Sequence, residues 1–88
     1  MFAYILKAPN TPITEQTDEF FRRFCETPGL LYAFDFTAVE DPNESLVVAV
    51  WEDRAAAERY LSAAPLRKEV DQAIPAVTRT MYEVNASK

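Results

Sequence analysis

The chain has 88 residues and a formal net charge of -5, with 14 acidic side chains, 9 basic side chains and no histidine. This length predicts one domain over residues 1–88. The acidic balance argues against nucleic acid or an anionic membrane as a partner, because both carry negative charge. Without histidine there is no Ser–His or Cys–His pair and no imidazole ligand, so we expect no metal and no cofactor.

Apolar residues make up 49% of the chain, including six Phe, four Tyr and one Trp. A domain of this size buries only roughly 60 to 65% of the surface of its unfolded chain. We therefore expect the apolar surface that the core cannot bury to form a subunit interface, a ligand cavity or both. The chain start has no basic region, and no apolar run is long enough to span a membrane, which predicts a cytoplasmic protein.

The first half of the chain predicts a strand and then a helix. The strand runs from Phe2 to Lys7 and is apolar on both faces. The helix starts at Thr11-Pro12 or at Thr14-Glu15, because threonine is a good N-cap and proline suits the first helical position. Its apolar stripe, in which Cys25 is expected to be buried, consists of Ile13, Thr17, Phe20, Phe21, Phe24 and Cys25.

A turn at Thr27–Leu30 then predicts a hairpin of two strands. Proline followed by glycine at its centre indicates a type II turn. The second strand extends from Leu30 to Val39 and the third from Leu46 to Trp51, close enough in sequence to pair antiparallel.

The last part of the chain predicts a second helix and a fourth strand. Asp53 is a good N-cap for a helix that runs to about Ala63. Pro65 ends or kinks this helix, and the fourth strand finishes near Val84.

The predicted element order is βαββαβ, which defines an α+β, ferredoxin-like fold with a four-stranded antiparallel sheet. Both helices should cover one face of that sheet. Strands one to three are apolar on both faces, so the second face should also be covered. Two such sheets packed against each other in a symmetric homodimer would bury it.

The residues from Val48 to Leu66 resemble those of the antibiotic biosynthesis monooxygenase family. The shared features are a third strand that ends in Trp51-Glu52-Asp53, a helix with Tyr60-Leu61, and Pro65-Leu66; the closing residues Arg79 to Val84 also fit. The resemblance implies a homodimeric α+β barrel with a pocket between each sheet and its own helices. The haem-degrading branch of the family uses a histidine as axial ligand, and this chain has none.

Three residues are candidates for catalysis. The resemblance points to the strand-three tryptophan, Trp51, whose indole N–H would orient a ligand oxygen. Tyr60 would donate a hydrogen bond to a phenolic or quinone-like substrate, and Arg79 would stabilise an oxyanion. The alternative for each is an ordinary packing or surface role.

Five further residues are candidates for substrate binding: Tyr32, Phe20, Phe24, Tyr82 and Asp35. The tyrosines would donate hydrogen bonds and the phenylalanines would form a pocket wall, or all four would simply pack. Asp35 lies among aromatic residues, where burial would raise its pKa and let it act as a base. Otherwise it is solvated or forms a salt bridge, with Arg79 of a dimer partner as the candidate.

The predicted function is that of a cofactor-independent monooxygenase acting on a hydrophobic aromatic or polyketide-like small molecule, as the resemblance implies. One alternative is a polyketide-type cyclase or isomerase, which would need acid–base groups but no oxygen. A non-catalytic ligand-binding dimeric barrel is the other. The residues themselves predict an apolar pocket with a few polar groups.

Overall fold

The computed structural model describes residues 1–86 and contains one sheet. Its strands are β1 (Phe2–Ala8), β2 (Leu30–Thr37), β3 (Ser45–Trp51) and β4 (Thr78–Glu83). They lie in the order β2-β3-β1-β4, and each neighbouring pair is antiparallel. This arrangement confirms the predicted ferredoxin-like fold, with β2 and β4 at the edges.

Three helices accompany the sheet: α1 (Glu15–Phe24), α2 (Arg54–Ala63) and α3 (Pro65–Ala73). The second predicted helix is two helices, because Ala64 is extended (φ -72°, ψ 127°) and Pro65 begins α3. A residue before proline avoids the helical conformation, so the chain turns at this point. None of the helices in residues 1–86 is both long and apolar enough to cross a lipid bilayer.

The start of α1 follows the second of the two predicted alternatives. The backbone N–H of Thr17 donates to Oγ1 of Thr14 at 3.2 Å, and the backbone N–H of Thr14 donates to Oγ1 of Thr17 at 2.8 Å. This reciprocal pair satisfies two N–H groups that the helix itself leaves without partners. The prediction that Cys25 is buried is wrong: the residue is exposed, about 100° around the helix from the buried Phe24.

Alternation along the strands assigns each side chain to one of two sheet faces. On β1, β3 and β2 the neighbours Tyr4, Ala49 and Ala33 share the face that the helices cover. The hydrophobic core lies there; its largest fully buried side chains are Trp51 and Tyr4, and Phe24, Tyr60, Leu66 and Val70 pack around them.

None of the helices in the described part of the chain lies on the opposite face of the sheet. Large apolar side chains stand exposed there: Tyr32 at 61%, Phe34 at 52%, Phe36 at 47% and Tyr82 at 48%. The rings of Phe34 and Phe36 stack with centroids 6.1 Å apart. This outer face is the uncovered apolar surface that the sequence predicts.

Candidate functional site

A cleft opens between the helix-covered face of the sheet and helices α1 and α3. It has an inner void of about 70 Å³ and about 610 Å³ of atom-free space when its open mouth is included. The inner void alone is smaller than the roughly 300–1,000 Å³ of typical ligand pockets, so a ligand would also occupy the open mouth. Most of the wall is apolar, and it is formed by Leu6, Ala8, Ile13, Phe20, Phe21, Phe24, Val47, Val70 and Ile74.

The polar groups of the cleft wall are few. Hydroxyl groups come from Tyr4, Tyr60, Thr11, Thr17 and Ser45, and a single carboxylate comes from Asp35. A mostly apolar wall with a few polar groups is the usual composition of a small-molecule site, in which the apolar area gives affinity and the polar groups fix orientation.

Two tyrosine side chains stand together at the core end of the cleft. Tyr4 on β1 and Tyr60 on α2 have ring centroids 6.4 Å apart, with the rings at 77° to each other. Burial strongly raises the pKa of Tyr4 and also raises the pKa of Tyr60. Both hydroxyls therefore stay neutral at physiological pH, and they serve as hydrogen-bond donors rather than as bases.

Arg79 lies close to these two hydroxyls, and its positive charge opposes part of the increase in the pKa of both tyrosines. Its side chain is only 12% exposed. Nη1 donates to Oδ1 of Asp71 at 2.6 Å, while Nε and Nη2 are buried and have no hydrogen-bond partner within residues 1–86. Arg79 itself does not line the cleft, so it acts on the cleft through the Tyr4 and Tyr60 hydroxyls that do.

The Asp71 carboxylate is shared by two arginines. Nε of Arg67 lies 2.9 Å from Oδ2 of Asp71, and Nη1 of Arg79 approaches Oδ1. Two guanidinium groups on one carboxylate leave a local charge of about +1 beside the tyrosine pair. The site is therefore suited to a developing negative charge. The contact with Asp71 also gives Arg79 a partner within its own chain, whereas the sequence analysis suggested Asp35 of a second subunit.

Trp51 supports the site from beneath rather than lining it. The side chain is fully buried, and its ring centroid lies 5.8 Å from those of Tyr4, Phe24 and Tyr60. Its indole N–H has no partner within residues 1–86. The structure thus gives Trp51 a packing position that holds the two tyrosine rings in place.

Asp35 stands at the opposite side of the cleft, on edge strand β2. It pairs with Val47 of β3 in the sheet register and shares its face with the cleft wall. The residue is exposed to solvent overall, yet partial burial of its carboxyl raises its pKa, and the nearby Asp18 of α1 adds to the increase. Asp35 is the only charged side chain in the cleft wall as the structure describes it.

The predicted site residues fall into three groups in the structure. Phe20, Phe24, Tyr60 and Asp35 line the cleft, and Arg79 and Trp51 lie behind it. Tyr32 and Tyr82 do not join them. Tyr32 pairs with Val50 and Tyr82 with Ala3 on the outer face, so both point away from this cleft.

Sequence reasoning missed Tyr4 and Asp71. Tyr4 alternates with apolar residues on β1, which indicates that Phe2, Tyr4 and Leu6 share a face, but β1 is apolar on both faces and nothing in it shows which face the helices cover. Asp71 lies on the outward side of a helical stripe. Its role depends on contact with β4, which helical spacing does not reveal.

Comparison with solved structures gives the same fold over nearly the whole chain. A crystal structure of an antibiotic biosynthesis monooxygenase is 18% identical, with a TM-score of 0.81 over 98% of this chain and 100% of that one. A mutant of SnoaB, a cofactor-independent oxygenase from Streptomyces nogalater, is 17% identical, with a TM-score of 0.78 over 98% of this chain and 94% of that one.

A third similar structure contains a ligand. It is a monooxygenase from the gene ActVA-Orf6 of Streptomyces coelicolor in complex with nanaomycin D, 16% identical, with a TM-score of 0.71 over 99% of this chain and 89% of that one. No protein-family model and no curated protein matches the sequence. The chain therefore has the fold of the antibiotic biosynthesis monooxygenases, and identities this low establish the fold alone.

Proposed function

We propose that the protein is a cofactor-independent monooxygenase of the antibiotic biosynthesis monooxygenase family, and that it acts on a hydrophobic aromatic or polyketide-like small molecule. The observation that carries this proposal is the apolar cleft that ends in two neutral tyrosine hydroxyls backed by Arg79. Support also comes from the fold shared with a cofactor-independent oxygenase and with a monooxygenase in complex with nanaomycin D.

In the proposed reaction, loss of a proton from an acidic C–H group of the substrate leaves a carbanion delocalised onto a carbonyl oxygen. Tyr4 and Tyr60 donate hydrogen bonds to that oxygen, and Arg79 stabilises its negative charge. The carbanion is electron-rich enough to reduce dioxygen directly. One oxygen atom enters the substrate as a carbonyl group, and the other leaves as water.

The apolar wall of the cleft contributes to the same chemistry. Side chains such as Phe20, Phe21 and Val47 line the cleft and would displace water from around a bound substrate. Charge–dipole interactions are stronger in such surroundings than in bulk water. Hydrogen bonds from fixed donors then favour the enolate more than the neutral ketone, which lowers the barrier to proton loss.

We also propose that the protein is a homodimer in which two outer faces pack together. The support is the row of exposed aromatic side chains on that face, since monomers rarely leave a large contiguous apolar patch exposed to water. A symmetric pair buries the patch on both chains at once.

Oxygen uptake with a dihydroxyanthrone, a planar three-ring ketone with an acidic CH₂ group, tests the function. We expect wild-type protein to consume oxygen faster than the protein-free control, with one atom of labelled dioxygen in the product. The variant Tyr60→Phe should lose roughly 100-fold in rate, because it keeps the ring and removes one hydrogen-bond donor. Conversion without oxygen uptake would indicate a cyclase or isomerase. Binding without conversion would indicate a ligand-binding protein.

A further inference from the structure

We infer that Asp35 is the base that removes the substrate proton, at the end of the cleft opposite the tyrosine pair. The inference rests on the proposed function and goes beyond it, because the fold does not specify which group accepts the proton. It starts from a chemical requirement: a base must be ionised at working pH and must reach the cleft.

The composition of the cleft wall leaves one candidate among residues 1–86. Tyr4 and Tyr60 are neutral because burial raises the pKa of each. Threonine and serine hydroxyls are not bases at neutral pH without a partner base, and the chain has no histidine to activate them. Asp35 is the remaining titratable group of the wall.

The surroundings of Asp35 leave its carboxylate available. Within residues 1–86 it accepts no hydrogen bond from another side chain and forms no salt bridge. The packed elements present apolar groups to it, including Val47 from β3. The one charged group that acts on it is the like-charged Asp18 of α1, so no cation neutralises it. Partial burial and the like charge of Asp18 both raise the pKa of this carboxyl group, which makes the carboxylate a stronger base than an unperturbed aspartate.

The sheet register sets the distance between this base and the donors. Tyr4 pairs with Ala49, which pairs with Ala33, so Asp35 lies two strands across and two residues along from Tyr4. With about 4.8 Å between strands and about 3.3 Å per residue, the two α carbons are about 12 Å apart. In the inferred arrangement a fused-ring substrate lies between them, partly in the open mouth of the cleft, with its acidic C–H group toward Asp35 and its carbonyl oxygen toward the tyrosines.

The step balances in atoms and electrons. The C–H bond breaks, its proton forms an O–H bond on Asp35, and its electron pair is left on the substrate as the enolate. Dioxygen, the co-reactant, takes up that pair and forms a C–O bond, which gives a peroxide anion. Asp35 returns its proton to that anion, and loss of water from the hydroperoxide leaves the carbonyl group and a regenerated carboxylate.

Proton exchange without oxygen tests this assignment directly. Protein is mixed anaerobically in D₂O with a dihydroxyanthrone, and NMR follows deuterium uptake at the CH₂ group. The experiment compares wild type with Asp35→Asn, Asp35→Glu and the loop variant Glu40→Gln. We expect wild type and Glu40→Gln to accelerate uptake, Asp35→Asn to lose roughly 100-fold or more of that acceleration, and Asp35→Glu to recover part of it.

Folding is not expected to obscure the result. The pKa of Asp35 is raised in the folded state, so its contribution to stability is present below the unfolded pKa and is lost as pH rises through the folded pKa. At neutral pH the ionised carboxylate does not stabilise the fold, and Asp35→Asn should unfold at the same temperature as wild type or a higher one.

The possible outcomes separate this inference from the proposed function. If Asp35→Asn exchanges the substrate proton and consumes oxygen as fast as wild type, the assignment of the base is overturned while the oxygenase function stands. If wild type neither exchanges the proton nor consumes oxygen, both are overturned. Loss of exchange in a folded Asp35→Asn, with rescue by Asp35→Glu, supports the assignment.

Discussion

At the residue scale, the cleft combines a tyrosine that keeps its proton with an aspartate that loses it, because the ordinary pKa values of the two residue types are far apart. Burial raises the pKa of the Tyr4 hydroxyl, which therefore keeps its proton and donates. Asp35 ionises at a far lower pH than a tyrosine, even with its pKa raised by partial burial and by Asp18. A wide range of pH therefore exists in which the site has a fixed donor and a free base, as acid–base catalysis requires.

The variant Asp18→Asn tests the electrostatic part of this arrangement. Removing the like charge on α1 makes ionisation of Asp35 easier, so the pKa of Asp35 falls. Proton abstraction needs the ionised form, so activity rises with pH through this pKa. We expect that rise to move to lower pH in the variant, as measured by oxygen uptake with a dihydroxyanthrone over a pH series.

Glu15→Gln is the matched control for this prediction. It removes one negative charge from the same first turn of α1, and it changes the net charge and the helix-end electrostatics by the same amount. We expect its profile to follow wild type. An equal shift in both variants would mean that the overall charge of the protein moves the profile, and that Asp18 has no particular action on Asp35.

At the element scale, one tight contact sets how the β-hairpin meets helix α2. Gly29, at the turn before β2, has φ +85°, and a Cβ placed on it would lie 2.4 Å from Cβ of Ala56 on α2. The backbone carbonyl of Gly29 also accepts from the N–H of Glu52 at 2.8 Å, just before α2 begins. This close approach helps to place α2, and with it Tyr60, over the sheet.

Gly29→Ala should destabilise the protein for two separable reasons. A positive φ costs a residue with a Cβ about 1–2 kcal/mol, and overpacking against α2 adds typically 1–3 kcal/mol. We therefore expect a loss of about 2 kcal/mol or more in the free energy of unfolding, measured by urea denaturation. The double variant Gly29→Ala with Ala56→Gly removes the contact and keeps the backbone strain.

Comparison of these variants with Ala56→Gly alone gives the coupling between the two positions. We expect the double variant to be more stable than the sum of the two single changes predicts, because Ala56→Gly opens the space that the added Cβ needs. Simple additivity would show that the close contact costs nothing and that the strain at Gly29 accounts for the whole loss.

At the scale of the whole molecule, the outer face of the sheet is the feature that favours association with a second chain. A single layer of helices covers one face, and the other exposes aromatic side chains of β2 and β4. The proposed cleft lies on the helix-covered face of each chain, so a dimer through the outer faces would leave both clefts open to solvent.

The variant Phe34→Lys tests the dimer, with Val39→Lys as its control. Phe34 stands in the middle of β2 on the outer face and stacks on Phe36, whereas Val39 is fully exposed in the loop after β2. Both changes exchange an apolar side chain for the same charge. In sedimentation velocity we expect wild type and Val39→Lys as dimers and Phe34→Lys as monomers, because burying an unpaired charge is costly. A dimeric Phe34→Lys would argue against this interface.

The pattern of the chain was enough to predict the order of elements and several local features. Helical and strand spacing, together with capping and turn residues, determine these features over short distances: Asp53 caps α2, Pro65 interrupts the predicted second helix, and Gly29 takes the positive φ of its turn. The same spacing places Phe20 and Phe24, four residues apart, on one helical face, and the family resemblance predicts that this face forms a pocket wall.

Tertiary structure alone decided which face of the sheet forms the core and which groups meet in the cleft. Alternation in β2 shows that Tyr32 and Asp35 lie on opposite faces, but both faces are apolar, so only helix packing shows that Asp35 faces the cleft and Tyr32 does not. The meeting of Arg79 with Asp71 joins β4 to α3. Such contacts depend on the relative placement of whole elements, which local sequence patterns do not encode.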